Sequence, residues 1–523
     1  MRSDASIKRL TLIACIIGSG IVLLDGSVVN VALPTIQVAL GGGLAAQQWV
    51  VNGYLLTLGS LILIGGSLGD LFGERRVFAL GVAGFGATSL LCALSPSIVF
   101  LVGARALQGV AGALLVPSSL AVIVRTFPRA ERGAAIGSWT AWGAIASVLG
   151  PLAGGELLAL ASWRWIFVLN IPFVAVCLTL IVMVVPRGVP AVDRDGPARR
   201  VDVVGAVLCA LGLGGPVFAL IEQPRLGWGS PLVLVSLIAG SALFAAFLLY
   251  ESRARDPMLP LGLFRSRNFA AGNIETFSMY AGLSVLFFFL VLFLQQIGGY
   301  TPLQSGLATL PVTIVMFLCS RRFGALATRH GPRLYMGAGP LIAAAGLLLF
   351  QRVGAQVRYV PEVLPALLVF ALGLSMTVAP LTAAVLAGAR ESQAGIASGV
   401  NNAIARVAGL LGTASVGAVV SASFAASLDR GLHGAALGPS ARNAVAQAKH
   451  LPLGRPDVQH VAPVQAHAIS VAAEQASLHS FHTGMAIAAV LVAAGGLIGA
   501  AGIRDQQPPP EDAVLPPPRG MHA

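Results

Sequence analysis

Two oppositely charged residues, Asp25 and Arg105, interrupt long apolar runs of this 523-residue chain. If each run is a membrane-spanning helix, Asp25 lies about nine residues from the outer end of the first span, and Arg105 about seven residues from the outer end of the fourth. At a rise of ~1.5 Å per residue, the two residues lie at similar depth in the membrane. A charged group at that depth is costly unless it is paired or hydrated. The sequence therefore predicts that the two side chains are in contact.

An acid and a base that meet inside a membrane are suited to proton transfer. Burial disfavours the charged form of a carboxylate, whereas a nearby arginine favours it. A pair that opens and closes with conformation would take up and release a proton. We therefore expect Asp25 and Arg105 to carry proton coupling and to face a central cavity. A permanent structural ion pair is the alternative.

Four further polar residues lie well inside apolar runs, and we expect them to line a substrate cavity: Asn30, Glu275, Asn402 and Arg406. Membrane helices carry such residues where they contact a solute, an ion or each other. Glu275 is also placed to face water near the membrane surface. For Asn402, a hydrogen bond between helices is the alternative.

Other chemistry is not indicated. The two lysines, Lys8 and Lys449, are not in a Gly-Lys-Ser or Gly-Lys-Thr phosphate-binding loop. The five cysteines lie in apolar runs without metal-ligand spacing. His479 and His482 would make two metal ligands, but no third residue completes a site. We expect no metal, no cofactor and no enzymatic activity, because no catalytic cluster of Ser, His and acidic residues lies within the spans.

The composition requires a membrane. The chain is 56% hydrophobic and only 10% charged, with a mean hydropathy of +0.83. Apolar runs that do not alternate with polar residues predict α-helices rather than a barrel. Fourteen spans are predicted: 10–33, 48–69, 76–95, 98–124, 134–158, 166–186, 203–222, 231–250, 269–297, 303–320, 334–351, 363–388, 395–425 and 483–503.

The distribution of basic residues predicts the orientation. Most of the 33 Lys and Arg residues fall in the segments on the same side as the N-terminus, so the positive-inside rule makes both termini cytoplasmic. They form no stripe on one element, and the net charge of +12 therefore does not indicate a nucleic-acid partner. The connection 427–481 is predicted as a solvated outer loop, and the proline-rich tail as disordered.

An internal repeat divides the chain. The stretch GSLGDLFGER at 66–75 has the same skeleton as GALATRHGPR at 324–333, and the glycine spacing of 133–150 recurs in 395–412. Repeated halves around a central cavity are typical of secondary transporters. The sequence thus predicts an N-terminal six-helix bundle at 1–186, a linker with two inserted helices at 187–268, a C-terminal six-helix bundle at 269–503, and a cytoplasmic tail at 504–523.

Several motifs in order resemble those of one family. They are LDGSVVNVALP at 24–34, the stretch 66–76, RALQG at 105–109, GPLAGG at 150–155 and WRWIFVLNIP at 163–172. Together they resemble the major facilitator superfamily, in particular its drug and proton antiporters with fourteen spans, of the QacA/EmrB type. The basic residues usual in the second motif are replaced by Leu71 and Glu74.

This resemblance implies further roles. It implies a gating role for Gly66, Asp70, Gly73 and Arg75, and identifies Gly150, Pro151, Gly154 and Gly155 as the antiporter motif, typical of exporters. Simple helix packing is the alternative for those glycines. The resemblance implies a multi-pass protein of a bacterial plasma membrane that exchanges protons for drugs or antibiotics by alternating access.

Two alternatives to drug export remain at this stage. One is an exporter dedicated to a single metabolite, lipid or siderophore on the same fold. The other is a membrane enzyme or receptor with a transporter-like body, which the absence of a catalytic cluster in the sequence disfavours. We expect an apolar or cationic small-molecule substrate, because the spans contain few acids.

Overall fold

The structure is a computed structural model that describes residues 4–185, 201–388 and 393–504. In these ranges fourteen helices are long and apolar enough to cross a membrane, which confirms the fourteen predicted spans. The helices are α1 Asp4–Leu40, α2 Leu44–Phe72, α3 Glu74–Ala93, α4 Ile98–Thr126, α5 Arg129–Leu160, α6 Trp165–Val168, α7 Asn170–Met183, α8 Val203–Leu226, α9 Pro231–Glu251, α10 Arg267–Gln296, α11 Pro302–His330, α12 Pro332–Leu349, α13 Leu364–Ala387, α14 Ala394–Gly431, α15 Pro439–Ala448 and α16 Pro463–Gly502.

The sixth span consists of two helices in succession, α6 and α7, over Trp165–Met183. We call the side of the protein where α1 begins the near face, and the side where α1 ends the far face. The tail 505–523, residue 186 and the first part of the linker, residues 187–200, lie outside the described residues.

The internal repeat appears in the backbone as two matching turns. Gly73 between α2 and α3 has φ 89°, and Gly331 between α11 and α12 has φ 83°. Both conformations favour glycine, because a side chain would collide with the backbone at such φ values. The matched sequence skeletons therefore encode the same sharp turn at the near face of each half.

The membrane helices form two six-helix bundles and an inserted pair. The first bundle holds α1–α7, with α2 packed on α4 and α1 on α5; the second holds α10–α14 and α16, with α12 on α13 and α10 on α16. Small residues allow this close packing. A Cβ atom on Gly373, for example, would come within 2.8 Å of the Ala343 Cα atom on the facing helix.

The inserted helices α8 and α9 pack against each other, and α8 also contacts α2 and α14. Trp49 at the start of α2 donates a 2.9 Å hydrogen bond from Nε1 to Glu222 Oε1 on α8. The Trp49 ring also lies 6.0 Å from that of Phe218. The insertion thus covers one of the two seams between the bundles.

The two bundles meet at the far face. Gln295 Nε2 donates to the Val31 carbonyl at 2.9 Å, and one apolar cluster there includes Ile36 of α1 and Phe293 of α10. Towards the near face, helices of both bundles border open space, since a Cβ atom on Gly137 of α5 or on Gly395 of α14 would meet no atom within 4 Å. We interpret the space between the bundles on this side as a cleft.

The stretch 427–481 is more ordered than the predicted loop. Helix α14 continues to Gly431, α15 follows, and α16 begins at Pro463, so only the segments between these helices are irregular. The apolar residues of α15 recur at helical spacing and pack on α14 and α16: Ala441, Ala444, Val445 and Ala448.

His482, just beyond this stretch, has structural partners. His482 Nε2 is 3.0 Å from the Val353 carbonyl oxygen, and its own carbonyl accepts a 2.7 Å hydrogen bond from Gln351. Within the described ranges no three His, Cys, Asp or Glu side chains are grouped to hold a metal ion.

Candidate functional site

Asp25 and Arg105 are in direct contact, as the sequence predicts. Arg105 Nη1 donates to Asp25 Oδ2, and the two side chains are 1% and 0% exposed respectively. Helices α1 and α4 bring them together at a shared depth. Because neither charge reaches water or lipid in this state, each depends on the other for its stability.

Three neutral side chains complete what we call the Asp25 network: Ser89, Gln108 and Asn170. Gln108 Nε2 donates to Asp25 Oδ1 at 3.1 Å, and Asn170 Nδ2 donates to the same oxygen at 3.0 Å. Both amides also donate to Ser89 Oγ, at 2.9 and 3.2 Å. Asp25 thus accepts hydrogen bonds from three residues on two other helices, α4 and α7.

Arg105 is held on its other sides as well. Its Nη1 donates to Gln108 Oε1 at 2.6 Å, and its Nε donates to the Val50 carbonyl at 3.1 Å. The guanidinium lies 4.3 Å from the centre of the Tyr54 ring, a favourable cation–π geometry. These contacts tie α4 to α2 as well as to α1.

The Asp25 network lies inside the N-terminal bundle rather than on the cleft. Its members are all buried, with exposures from 0% to 1%. The expectation that Asp25 and Arg105 face a central cavity is therefore wrong for this state. Helix packing on every side of the network closes it, and water reaches Asp25 only if the helices of this bundle rearrange.

The glycines of the antiporter motif pack on the helix that carries Asp25. A Cβ atom on Gly150 would come within 2.8 Å of the Leu24 carbonyl oxygen, and one on Gly154 within 3.5 Å of Val28 Cβ. Pro151 lies against Gly306 of α11. Close contact of α5 with both α1 and α11 links the packing around Asp25 to the seam between the bundles.

The gating motif is described in part. The side chain of Asp70 lies outside the described residues. Gly66 packs near Pro117, with 3.9 Å between an added Cβ and Pro117 Cβ. Arg75 Nη2 donates to the Val182 carbonyl at 2.8 Å, which joins α3 to the near end of α7.

Glu74, at which the motif departs from the family pattern, forms an ion pair with Arg125 of α4. The distance is 2.6 Å, and Glu74 is 5% exposed. The sequence alone did not suggest this partner, which lies about fifty residues away along the chain. The contact joins the near ends of α3 and α4 within the N-terminal bundle.

Of the four predicted cavity residues, Glu275 faces elsewhere. Its side chain is 0% exposed, and a Cβ atom on Gly499 would lie 2.9 Å from Glu275 Cδ and 3.0 Å from the Met336 carbonyl oxygen. Glu275 therefore points into the C-terminal bundle towards α12 and α16. Neither carboxyl oxygen has a hydrogen-bond partner among the described residues.

The other three predicted cavity residues differ in their surroundings. Asn30 Nδ2 donates a 3.4 Å hydrogen bond to the Gly26 carbonyl, and Asn30 Oδ1 has no hydrogen-bond partner in the described ranges. Asn402 is exposed at the near end of α14 and donates to the Ser398 carbonyl at 3.0 Å. Arg406, one turn further along α14, is partly buried beside Gly59 of α2.

A second space lies outside the cleft and was not predicted. It is an apolar cavity of about 570 Å³ between α2, α8, α9, α10 and α14. Leu213, Phe244, Phe277 and Val407 are among the residues that line it. Because α8 and α9 form one of its walls, only the placement of the inserted pair could have revealed it.

Comparison with known proteins agrees with this architecture. The family model of the Major Facilitator Superfamily matches residues 15–413. Relatives include the puromycin resistance protein pur8 of Streptomyces alboniger, 37% identical over 78% of this chain and 81% of the relative. The tetracenomycin C resistance and export protein of Streptomyces glaucescens is 35% identical over 78% of this chain and 75% of the relative.

A third relative is the multidrug resistance protein Stp of Mycobacterium tuberculosis, 34% identical over 84% of this chain and 81% of the relative. Among solved structures, an inward-facing, unoccupied bacterial homologue of the lysosomal transporter Spinster superposes with a TM-score of 0.63 at 16% identity, and covers 96% of this chain and 99% of its own. That likeness supports the fold. Two six-helix bundles, the motif order and these relatives lead to one conclusion: the chain belongs to the major facilitator superfamily.

Proposed function

We propose that this protein exports drugs or antibiotics across a bacterial plasma membrane in exchange for protons. The relatives are named for puromycin resistance, tetracenomycin C resistance and export, and multidrug resistance. The observation that carries the proton-coupled part is the buried Asp25–Arg105 ion pair. The protein moves its substrate without covalent chemistry.

In the proposed cycle, Asp25 gains a proton when the N-terminal bundle loosens and its contact with Arg105 breaks. A neutral acid no longer needs the guanidinium, so the bundle then favours a different packing of α1 on α4 and α5. Because the antiporter glycines contact both α1 and α11, a shift of α1 reaches the seam between the two bundles. Protonation thereby biases which face is open.

The positive-inside rule supports a cytoplasmic near face with both termini inside. The cleft of the present structure would then open to the cytoplasm, the state in which an exporter collects its substrate. Proton entry from the outside would follow once the far face opens. An exporter dedicated to one metabolite, lipid or siderophore is the second candidate, because it would use the same ion pair.

The test measures proton-driven transport in inside-out membrane vesicles. Puromycin, tetracenomycin C and a set of fluorescent compounds are followed with and without an uncoupler. We expect uptake that the uncoupler abolishes and that Asp25→Asn reduces at least tenfold at equal protein level, since the neutral amide cannot carry a proton.

The matched control is Asp457→Asn, which changes an exposed acid of the far connection and should transport normally. Undiminished proton coupling in Asp25→Asn would overturn the role of this residue. If no compound in the set is transported, the protein is instead an exporter of one dedicated substrate.

A further inference from the structure

Arg406 is a charged residue in the middle of a membrane-spanning helix, and it has no ion pair or hydrogen bond with any described residue. The two acids in the middle of the described spans are both committed elsewhere. Asp25 pairs with Arg105, and Glu275 packs against α16. An unpaired charge is costly at this depth. Its presence without a counter-charge therefore indicates a functional role.

Arg406 lies on the near-face side of the hydrogen bonds that join the two bundles. Two turns further along α14, Thr413 Oγ1 donates to Asn52 Oδ1 at 2.9 Å, and Gln48 Nε2 donates to the Thr413 carbonyl at 2.6 Å. These bonds join the two bundles. One turn in the other direction, Asn402 is exposed. Arg406 therefore lies between an exposed residue of the same helix face and the bonds that join the bundles.

The side chain points towards the cleft rather than the apolar cavity. Residues 402 and 406 are one turn apart, so they share a face of α14. The cavity is lined instead by a different face of the same helix, including Ala403 and Val407. Since Arg406 is partly exposed at mid-helix, water or a solute in the cleft has access to it.

The described residues of the facing helices offer this cation no counter-charge. Gly59 of α2 lies opposite, with 3.2 Å between an added Cβ and the Arg406 Cβ. Helix α14 packs on α2 and α10, whose nearby ionisable residues include Tyr54 and Tyr280, and neither carries a compensating charge when protonated. A guanidinium presents five N–H donors in a planar fork that matches the two oxygens of a carboxylate.

We propose that Arg406 binds an acidic group of the transported molecule, so that the preferred substrates are aromatic or apolar compounds with one anionic group such as a carboxylate. This inference rests on the proposed export function. It revises the expectation of apolar or cationic substrates, because the unpaired charge that faces the cleft is positive.

The test is equilibrium binding of three dansyl compounds to the purified full-length protein in lipid nanodiscs. Dansylglycine carries a carboxylate, dansylglycinamide is neutral, and N-(2-aminoethyl)dansylamide is cationic. We expect the wild type to bind the acid about tenfold more tightly than the amide, since a charge-assisted bidentate contact is stronger than a neutral hydrogen bond. The cation should bind most weakly.

Variants assign this preference to one residue. Arg406→Gln should remove the preference for the acid and leave binding of the amide unchanged. Arg406→Glu should invert it in favour of the cation. Arg406→Lys keeps the charge without the fork, and should keep a reduced preference. Arg253→Gln changes an exposed arginine at the near face, and should bind all three compounds as the wild type does.

The inference is overturned if the wild type does not prefer the acid, or if Arg406→Gln retains the preference. A thermal unfolding scan of each variant separates loss of binding from loss of fold. The binding assay uses no proton gradient, so its result does not depend on transport. Failure of proton-driven export in vesicles would contradict the proposed function but would not affect the binding result.

Discussion

Gly155 of α5 lies directly against Leu303 of α11, and a Cβ atom on Gly155 would come within 2.5 Å of the Leu303 Cα atom. These helices belong to different bundles, so the contact is a point where the two halves touch at the far face. A glycine is needed there because the facing atoms are backbone and cannot move aside. Gly155 thus allows close contact between the two halves at the far face.

Gly155→Ala should therefore force α5 and α11 apart and shift the protein towards a state open at the far face. Spin labels on Ala161 and Thr301, at the far ends of the two helices, should show a longer distance by pulsed electron resonance. Gly137→Ala on the same helix is the control, because its added methyl group meets open space. An unchanged distance distribution in Gly155→Ala would disprove the role of this contact.

Asn170→Leu should weaken the Asp25 network. The change leaves Asp25 Oδ1 with Gln108 as its amide donor and removes one of the two donors to Ser89 Oγ. We expect a loss of about 1–3 kcal/mol in the free energy of unfolding and slower proton-driven transport. Asn443→Leu, at an exposed position of α15, should change neither. Normal stability of Asn170→Leu would show that the bonds to Asp25 are not required for folding.

Glu275→Met should stabilise the protein and leave proton coupling intact. The carboxyl group is buried without a hydrogen-bond partner among the described residues, and replacing it with an apolar side chain of similar length removes a desolvation penalty of about 1–3 kcal/mol. Thermal unfolding and vesicle transport measure the two effects. Glu474→Met at an exposed site is the control. If transport instead stops in a folded Glu275→Met variant, Glu275 is a second proton carrier.

Gly73→Ala and Gly331→Ala should be comparably destabilising. Each places a Cβ atom at a positive φ next to a near-face turn, which costs about 1–3 kcal/mol. Gly262→Ala, where φ is not positive and an added Cβ meets no atom within 4 Å, should unfold like the wild type. A large effect at only one of the two turns would mean that the repeat is preserved in sequence but not in its structural role.

Glu222→Leu should loosen the inserted pair from the N-terminal bundle, because it removes the acceptor of the Trp49 indole hydrogen bond. We expect a loss of about 1 kcal/mol in the free energy of unfolding. Glu222→Gln retains an oxygen acceptor and should behave like the wild type. Equal stability of the Leu and Gln variants would show that apolar packing alone holds the insertion.

The spans and the ion pair were predictable for a simple reason. A run of apolar residues requires lipid wherever it lies in the chain, and depth can be counted along a helix. The similar depth of Asp25 and Arg105 therefore predicts their contact without knowledge of how the helices pack. The repeated skeleton around Gly73 and Gly331 was also visible, because a turn at positive φ leaves a glycine in the sequence.

Rotation of a helix about its own axis is harder to infer. Glu275 and Arg406 both interrupt apolar runs, yet one points into its own bundle and the other into the cleft. The face they present depends on neighbours that are distant in sequence. Gln108 and Asn170 lie within motifs that the sequence shows, but only the structure reveals that both donate hydrogen bonds to Asp25. The apolar residues of α15 stand at helical spacing in the sequence, but a short helix of this kind is masked by the polar residues around it.

The position of the inserted pair has a mechanical consequence. Helix α8 contacts α2 of one bundle and α14 of the other, whereas the opposite seam, between α5 and α11, has no such third element among the described helices. Any rocking of the bundles must slide α8 along at least one of its partners. The two interfaces between the bundles should therefore differ in how freely they move, and the rotation axis of the transport cycle should lie closer to the interface that α8 covers.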